Sequence, residues 1–166
     1  MNLGRNWGAT PSERGATMPC DALAPTARTR ADRALSVDAP LSIVFAWLCQ
    51  LRVAPYSYDI LDNFGRRSPR ERDPELSRLA VGQRFMTAFT LQSFDRGQLT
   101  LRSKGVSVTY AVSAEGTGAR LHVRVLFEGS PVIGRLLALG DLIMMRKQLL
   151  TLKSLAEREA TVRLSA

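Results

Sequence analysis

Residues 98–127, QLTLRSKGVSVTYAVSAEGTGARLHVRVLF, change side at every position. Leu99 and Leu101 point one way, Arg102 and Lys104 the other. Val106, Val108, Tyr110 and Val112 share a face, and so do Leu121, Val123, Val125 and Phe127. A period of two marks strands with one apolar face and one polar face. Upstream, RFMTAFTLQSF at residues 84–94 continues the pattern with Phe85, Thr87, Phe89 and Leu91. Asp95-Arg96-Gly97 and Glu115-Gly116-Thr117-Gly118 supply the hairpin turns. The reading is an antiparallel meander that must cover one apolar face.

The cover follows at once. Ser130-Pro131 starts a helix expected to run about 28 residues, to Glu159. Leu142, Met145, Leu149, Leu152 and Ala156 form a stripe. The first half, VIGRLLALGDLIMM, is apolar nearly all round and is expected to be buried on several sides. Before the meander, ADRALSV reads as a strand. LSIVFAWLCQL then reads as a helix with Ile43, Val44, Trp47, Leu48 and Leu51 on one face. One sheet face and one long helix give an α+β architecture: a curved antiparallel sheet wrapped around the C-terminal helix.

This order of elements resembles the START-like helix-grip superfamily, also called SRPBCC or polyketide cyclase/dehydrase-like. The resemblance covers residues 31–159. It lies in VDAPLSIVFAWL after the first strand, VGQRF at the entry to the meander, and LLTLKSLAERE in the last helix. It implies an apolar cavity between sheet and last helix that binds a lipid, polyketide or other hydrophobic molecule. Only some such proteins are enzymes. The implied function is carriage or sensing of a small hydrophobic ligand. The alternatives are a cyclase/aromatase or dehydratase in the same cavity, and an interaction module using a basic outer sheet face.

Candidate ligand-binding residues follow from the inward positions: Phe85, Phe89, Leu101, Val108, Tyr110, Val123, Val125 and Met144, with Met145. Gly134 and Gly140 are read as making room. Each apolar position also has a plain packing role. Tyr110 is the most informative, because a buried phenol needs a hydrogen-bond partner. Tyr56, Tyr58 and Asp59 come from APYSYDILDNFG, read as a lid between the first long helix and the meander. Asp59 and Asp62 are also a candidate acid/base pair, with turn caps or ion pairs to Arg66 and Arg67 as the plainer reading. Beyond Gly65, Ser68-Pro69-Arg70-Glu71 reads as a capping box, and Asp73-Pro74-Glu75 as a second helix start.

The chain is basic, with 23 Lys+Arg against 15 Asp+Glu. In residues 55–78, however, the five arginines Arg66, Arg67, Arg70, Arg72 and Arg78 meet five carboxylates, Asp59, Asp62, Glu71, Asp73 and Glu75. Intermixed signs make a solvated surface rather than a phosphate track, so no nucleic-acid partner is expected. Arg102, Lys104 and Arg124 share the outer sheet face, as a solvated surface or a weak anionic patch. The single histidine, His122, falls beside Arg124 and is expected to be exposed and non-catalytic. One histidine and no cysteine cluster give no metal site, and no cofactor motif is visible. Cys20 and Cys49 are read as free thiols in a cytoplasmic protein. The longest apolar run is broken by Arg135, Asp141, Arg146 and Lys147, so no membrane insertion is expected. Residues 1–30 show no period and are expected to be a disordered tail, with Met18 a second candidate start. The domain is expected at 31–160, with 161–166 a short tail.

Overall fold

The computed structural model describes residues 5–56 and 68–165, without the side chain of Arg135. Seven strands form one sheet in the order β1-β2-β7-β6-β5-β4-β3. They are β1 (Asn6–Trp7), β2 (Thr29–Val37), β3 (Arg84–Phe85), β4 (Phe89–Phe94), β5 (Gln98–Ser103), β6 (Val106–Glu115) and β7 (Gly118–Phe127). All neighbours are antiparallel except β1, which runs parallel to β2 at the edge. The alternation read from the sequence sets the inner face: Leu99, Leu101, Tyr110, Leu121 and Val123 are all buried.

The long helix, here α4 (Pro131–Leu164), has 34 residues, longer than the expected run to Glu159. Its second half lies on the sheet through Leu149, Leu152, Leu155 and Ala156. The expected helix over residues 41–51 is α3 (Leu41–Cys49), continued by a 3-10 turn at Gln50–Arg52, and its apolar face is buried as read. Trp47 Nε1 donates to Glu159 Oε2 at 2.9 Å, and Arg72 pairs with the same carboxylate at 3.0 Å. The first contact ties α3, and the second the segment before Pro74, to the end of α4.

The structure corrects the sequence reading in several places. The first half of α4 is not enclosed: Leu136 is 68% exposed, and Val132, Ile133, Leu137, Leu139 and Ile143 are also exposed. This half has protein on one side only, so apolar character all round does not mean burial all round. Residues 84–94 are not one strand. Met86 and Thr87 take positive φ (47° and 61°), which ends β3 and leaves Thr87 exposed. No helix starts at Ser68. A 3-10 turn begins at the second site, Pro74–Ser77, where Asp73 accepts from the Glu75 amide at 2.9 Å. Pro74 has no N–H and its ring would collide with the carbonyl four residues earlier in a helix begun at Pro69.

The largest correction is at the N-terminus. Residues 5–30 are ordered, and they cover the outer face of the sheet. Gly8, with φ 73°, lets the chain leave β1 where any Cβ would lie 2.1 Å from the Ala34 carbonyl oxygen. Two short helices follow, α1 (Pro11–Gly15) and α2 (Pro19–Leu23). Thr10 and Glu13 form a reciprocal capping box on α1, and Cys20 packs with Met18, Ala24 and Leu126.

The cover is held by Arg124, which is completely buried rather than solvated. Its Nε donates to Asp32 Oδ1 at 3.0 Å. One terminal nitrogen donates to Ala16 O and Asp21 Oδ2, the other to Glu13 O and Arg14 O. All five donors of the guanidinium are therefore used. His122, expected to be exposed, is buried beside it, with Nε2 2.9 Å from Asp32 Oδ1. Burial pushes the Asp32 carboxyl up, but hydrogen bonds from His122, Arg124 and Arg30 outweigh it and hold the group below its ordinary range. Arg102, the third member of the supposed basic face, donates to Leu23 O at 2.7 Å, leaving only Lys104 exposed.

Arg124→Ala removes the cation from a buried network and leaves Asp32 and three carbonyl groups without it. The expected loss is about 3–5 kcal/mol of unfolding free energy. Urea unfolding measures it, and amide exchange over residues 10–24 is expected to rise in the same variant.

Candidate functional site

Between the exposed half of α4 and strands β6 and β7 lies a cavity of about 180 Å³. Its walls are mainly apolar: Val106 and Val108 of β6, Val125 of β7, Phe89 of β4, and Met144 and Met145 of α4. Pro55 and Met86 line it from the segments next to α3 and β3. Three polar residues join them, Tyr110, Asp141 and Gln148.

The sheet alternation delivers Tyr110 to this side, and helical spacing places Asp141, Met144, Met145 and Gln148 along one flank of α4. The Tyr110 hydroxyl donates to Gln148 Oε1 at 2.8 Å. Gln148 Nε2 donates in turn to Pro55 O at 2.6 Å and lies 3.3 Å from Met86 Sδ. This chain joins β6, α4 and the segment after α3. Burial, with the Asp141 charge adding to it, pushes the Tyr110 phenol far up, so it stays protonated.

Among the described residues, Asp141 is the one carboxylate on the lining. Its Oδ2 accepts from Arg33 at 3.3 Å. Arg33 comes from β2, on the inward face opposite Val123, and is itself completely buried. The same guanidinium nitrogen donates to Ala138 O at 3.2 Å. Burial pushes the Asp141 carboxyl up to about 6, against the lowering effect of Arg33.

The sequence candidates divide into groups. Phe89, Val108, Tyr110, Val125, Met144 and Met145 line the cavity. Tyr56, Phe85, Leu101 and Val123 are buried in the main core and do not line it. Tyr56 instead meets Trp47 edge to face, with ring centroids 6.1 Å apart. Gly140 is exposed, and Gly134 gives room to Thr29, whose Oγ1 would lie 2.4 Å from an added Cβ. Neither glycine shapes the cavity. Tyr58, Asp59, Asp62 and most of the expected lid lie outside the described residues. Sequence reading missed Asp141 and Gln148. A single carboxylate inside LALGDLIMM was the available signal, because an acid in an apolar run needs a partner or a purpose.

No metal-binding group of histidine, cysteine and carboxylate side chains occurs among the described residues. Cys20 and Cys49 are free and buried, and burial pushes the Cys49 thiol up to about 11. Neither is an activated nucleophile.

Seven antiparallel-paired and edge strands gripping one long helix decide the architecture. The chain has the helix-grip fold. No family model matches the chain, and no curated protein matches it. Solved structures do. Protein MLL2253 from Mesorhizobium loti superposes with a TM-score of 0.50 at 16% identity, over 78% of this chain and 97% of that one. KanY gives 0.51 at 14% identity, over 78% and 97%. A protein from Arthrobacter aurescens gives 0.51 at 12% identity, over 86% and 90%. At these identities the likeness concerns the fold.

The raised Asp141 carboxyl has a consequence for stability. Between its ordinary value near 3.8 and its folded value near 6, the folded state holds a proton that the unfolded chain has released. This contribution is full below about pH 4 and is lost as pH rises through 6. Urea titrations from pH 4 to 7 are expected to show wild type losing stability relative to Asp141→Asn across that window. A constant difference between the two proteins would show that Asp141 ionises normally.

Proposed function

We propose that the protein binds a small hydrophobic molecule in the cavity between β6, β7 and α4, as a carrier or sensor. The observation that supports this most directly is the lining itself: apolar walls with a few convergent polar groups, in the helix-grip fold. Ligand-binding residues on this reading are Phe89, Val108, Tyr110, Val125 and Met144, with Asp141 and Gln148 added by the geometry. Tyr58 and Asp59 remain proposed contacts from the segment after Tyr56. No helix among the described residues is long and apolar enough to cross a membrane, and the two unpaired thiols suit a reducing compartment such as the cytoplasm.

A second reading, an enzyme on the same cavity, is favoured by one observation. Asp141 ionises near 6 beside a protonated phenol, a suitable arrangement for proton transfer to or from a bound molecule. Polyketide cyclase or dehydratase chemistry would draw on this pair rather than on Asp62.

Protein purified from its own host is expected to carry a small noncovalent adduct in native mass spectrometry. Val125→Phe, which fills part of the cavity while remaining folded by circular dichroism, is expected to lose it. An adduct retained undiminished would move binding elsewhere. Conversion of the isolated adduct by wild type but not by Asp141→Asn would decide for the enzyme.

A further inference from the structure

Among the described residues, the hydrogen-bonding capacity of the lining side chains is one-sided. The Tyr110 hydroxyl proton is used on Gln148, and the Gln148 amide is directed at Pro55 O and Met86 Sδ. The polar side chains on the lining therefore have their donors engaged. What remains is acceptors. Asp141 Oδ2 is taken by Arg33, while among the described residues no donor reaches Oδ1. The Tyr110 oxygen, having donated its proton, keeps lone pairs.

Charge narrows the choice further. Arg33 and Asp141 already form a pair of opposite sign at the cavity wall, with Arg33 fully buried and Asp141 partly so. An anionic ligand would sit beside the Asp141 carboxylate, and an ammonium would add a second cation close to Arg33. A buried charge without a partner is strongly disfavoured, so a neutral donor is the best match. The pocket is open on one side, so its size limits the part of the molecule held between sheet and helix. A cavity of about 180 Å³ compares with the ~150 Å³ that accepts one benzene ring, and drug-sized sites run from about 300 Å³ upward.

We propose that the cavity takes a neutral alcohol or phenol about the size of one ring, whose hydroxyl donates to Asp141 Oδ1. This rests on the cavity being the binding site and says which molecules it selects. A fused polycyclic substrate exceeds the space bounded by the described residues, and a carboxylic acid meets the wrong charge.

Calorimetric titration with four probes of one ring size tests this at pH 7.5: p-cresol, toluene, benzoate and benzylamine. p-Cresol is expected to bind at least about tenfold more tightly than toluene, because a hydrogen bond to a charged acceptor is among the stronger ones. Benzoate and benzylamine are expected to bind more weakly than p-cresol. In Asp141→Asn the preference of p-cresol over toluene is expected to shrink several-fold, with toluene affinity little changed. Equal binding of p-cresol and toluene by wild type overturns the proposal and leaves the apolar cavity as the site. Tighter binding of benzoate or benzylamine also overturns it. A preference unchanged in Asp141→Asn removes the role of Asp141. Binding of none of the four overturns both the proposal and the cavity reading. The wild-type panel decides even where the variant fails to fold.

Discussion

An α-helix with its side chains is about 10–12 Å across, and strands in a sheet lie about 4.8 Å apart. One helix thus covers two or three strands, while this sheet has seven. The inner face must be closed by other means. Near the C-terminal end of α4, Leu149, Leu152 and Leu155 pack down and α3 fills the adjoining space. Near its N-terminal end no second helix is present among the described residues, and the space between α4 and β6 remains. The cavity is a product of this mismatch in width, and its position is fixed by where α3 lies.

The outer face meets the opposite problem. A sheet exposed on that side could carry polar residues into water, yet Thr100, Thr109, Asp32, His122 and Arg124 are all buried there. The N-terminal residues make that burial tolerable, because their carbonyl groups and Asp21 complete the hydrogen bonds of Arg124. Charge placement is thus alike on both faces: β2 contributes Asp32 outward to Arg124 and Arg33 inward to Asp141. A buried ion pair does little for net stability compared with apolar packing. On the inner face its consequence is chemical, since it puts a carboxylate oxygen on the wall of an apolar space.

The parts legible in the sequence were those with a strong period. Val108, Tyr110, Val123 and Val125 alternate cleanly, and both the sheet and the sidedness of these residues followed. Ile43, Val44 and Trp47 gave the first long helix in the same way. The N-terminal cover has no period to read. Its order comes from partners more than a hundred residues away, such as Arg124 with the carbonyl groups of α1, and composition alone resembles disorder. His122 and Arg124 were assigned to the correct face but to the wrong environment for that reason. Phe89, Val108, Tyr110, Val125 and Met144 were legible as inward positions, and they line the cavity because cavity walls share the core's pattern. Leu101 and Phe85 carry the same pattern without reaching the cavity, since alternation tells which face a residue is on and not what lies opposite. Asp141 was visible only as an interruption of an apolar run.

The methionines allow the central claim to be measured directly. Met86, Met144 and Met145 line the cavity, whereas Met18 lies in the separate cluster under the outer face. Methyl NMR of methionine-labelled protein, titrated with p-cresol, reports on both places in one spectrum. Saturable shifts at Met86, Met144 and Met145 with Met18 unmoved are the expected result. Shifts at Met18 alone, or none at the three cavity methyls under concentrations that saturate binding, would contradict it.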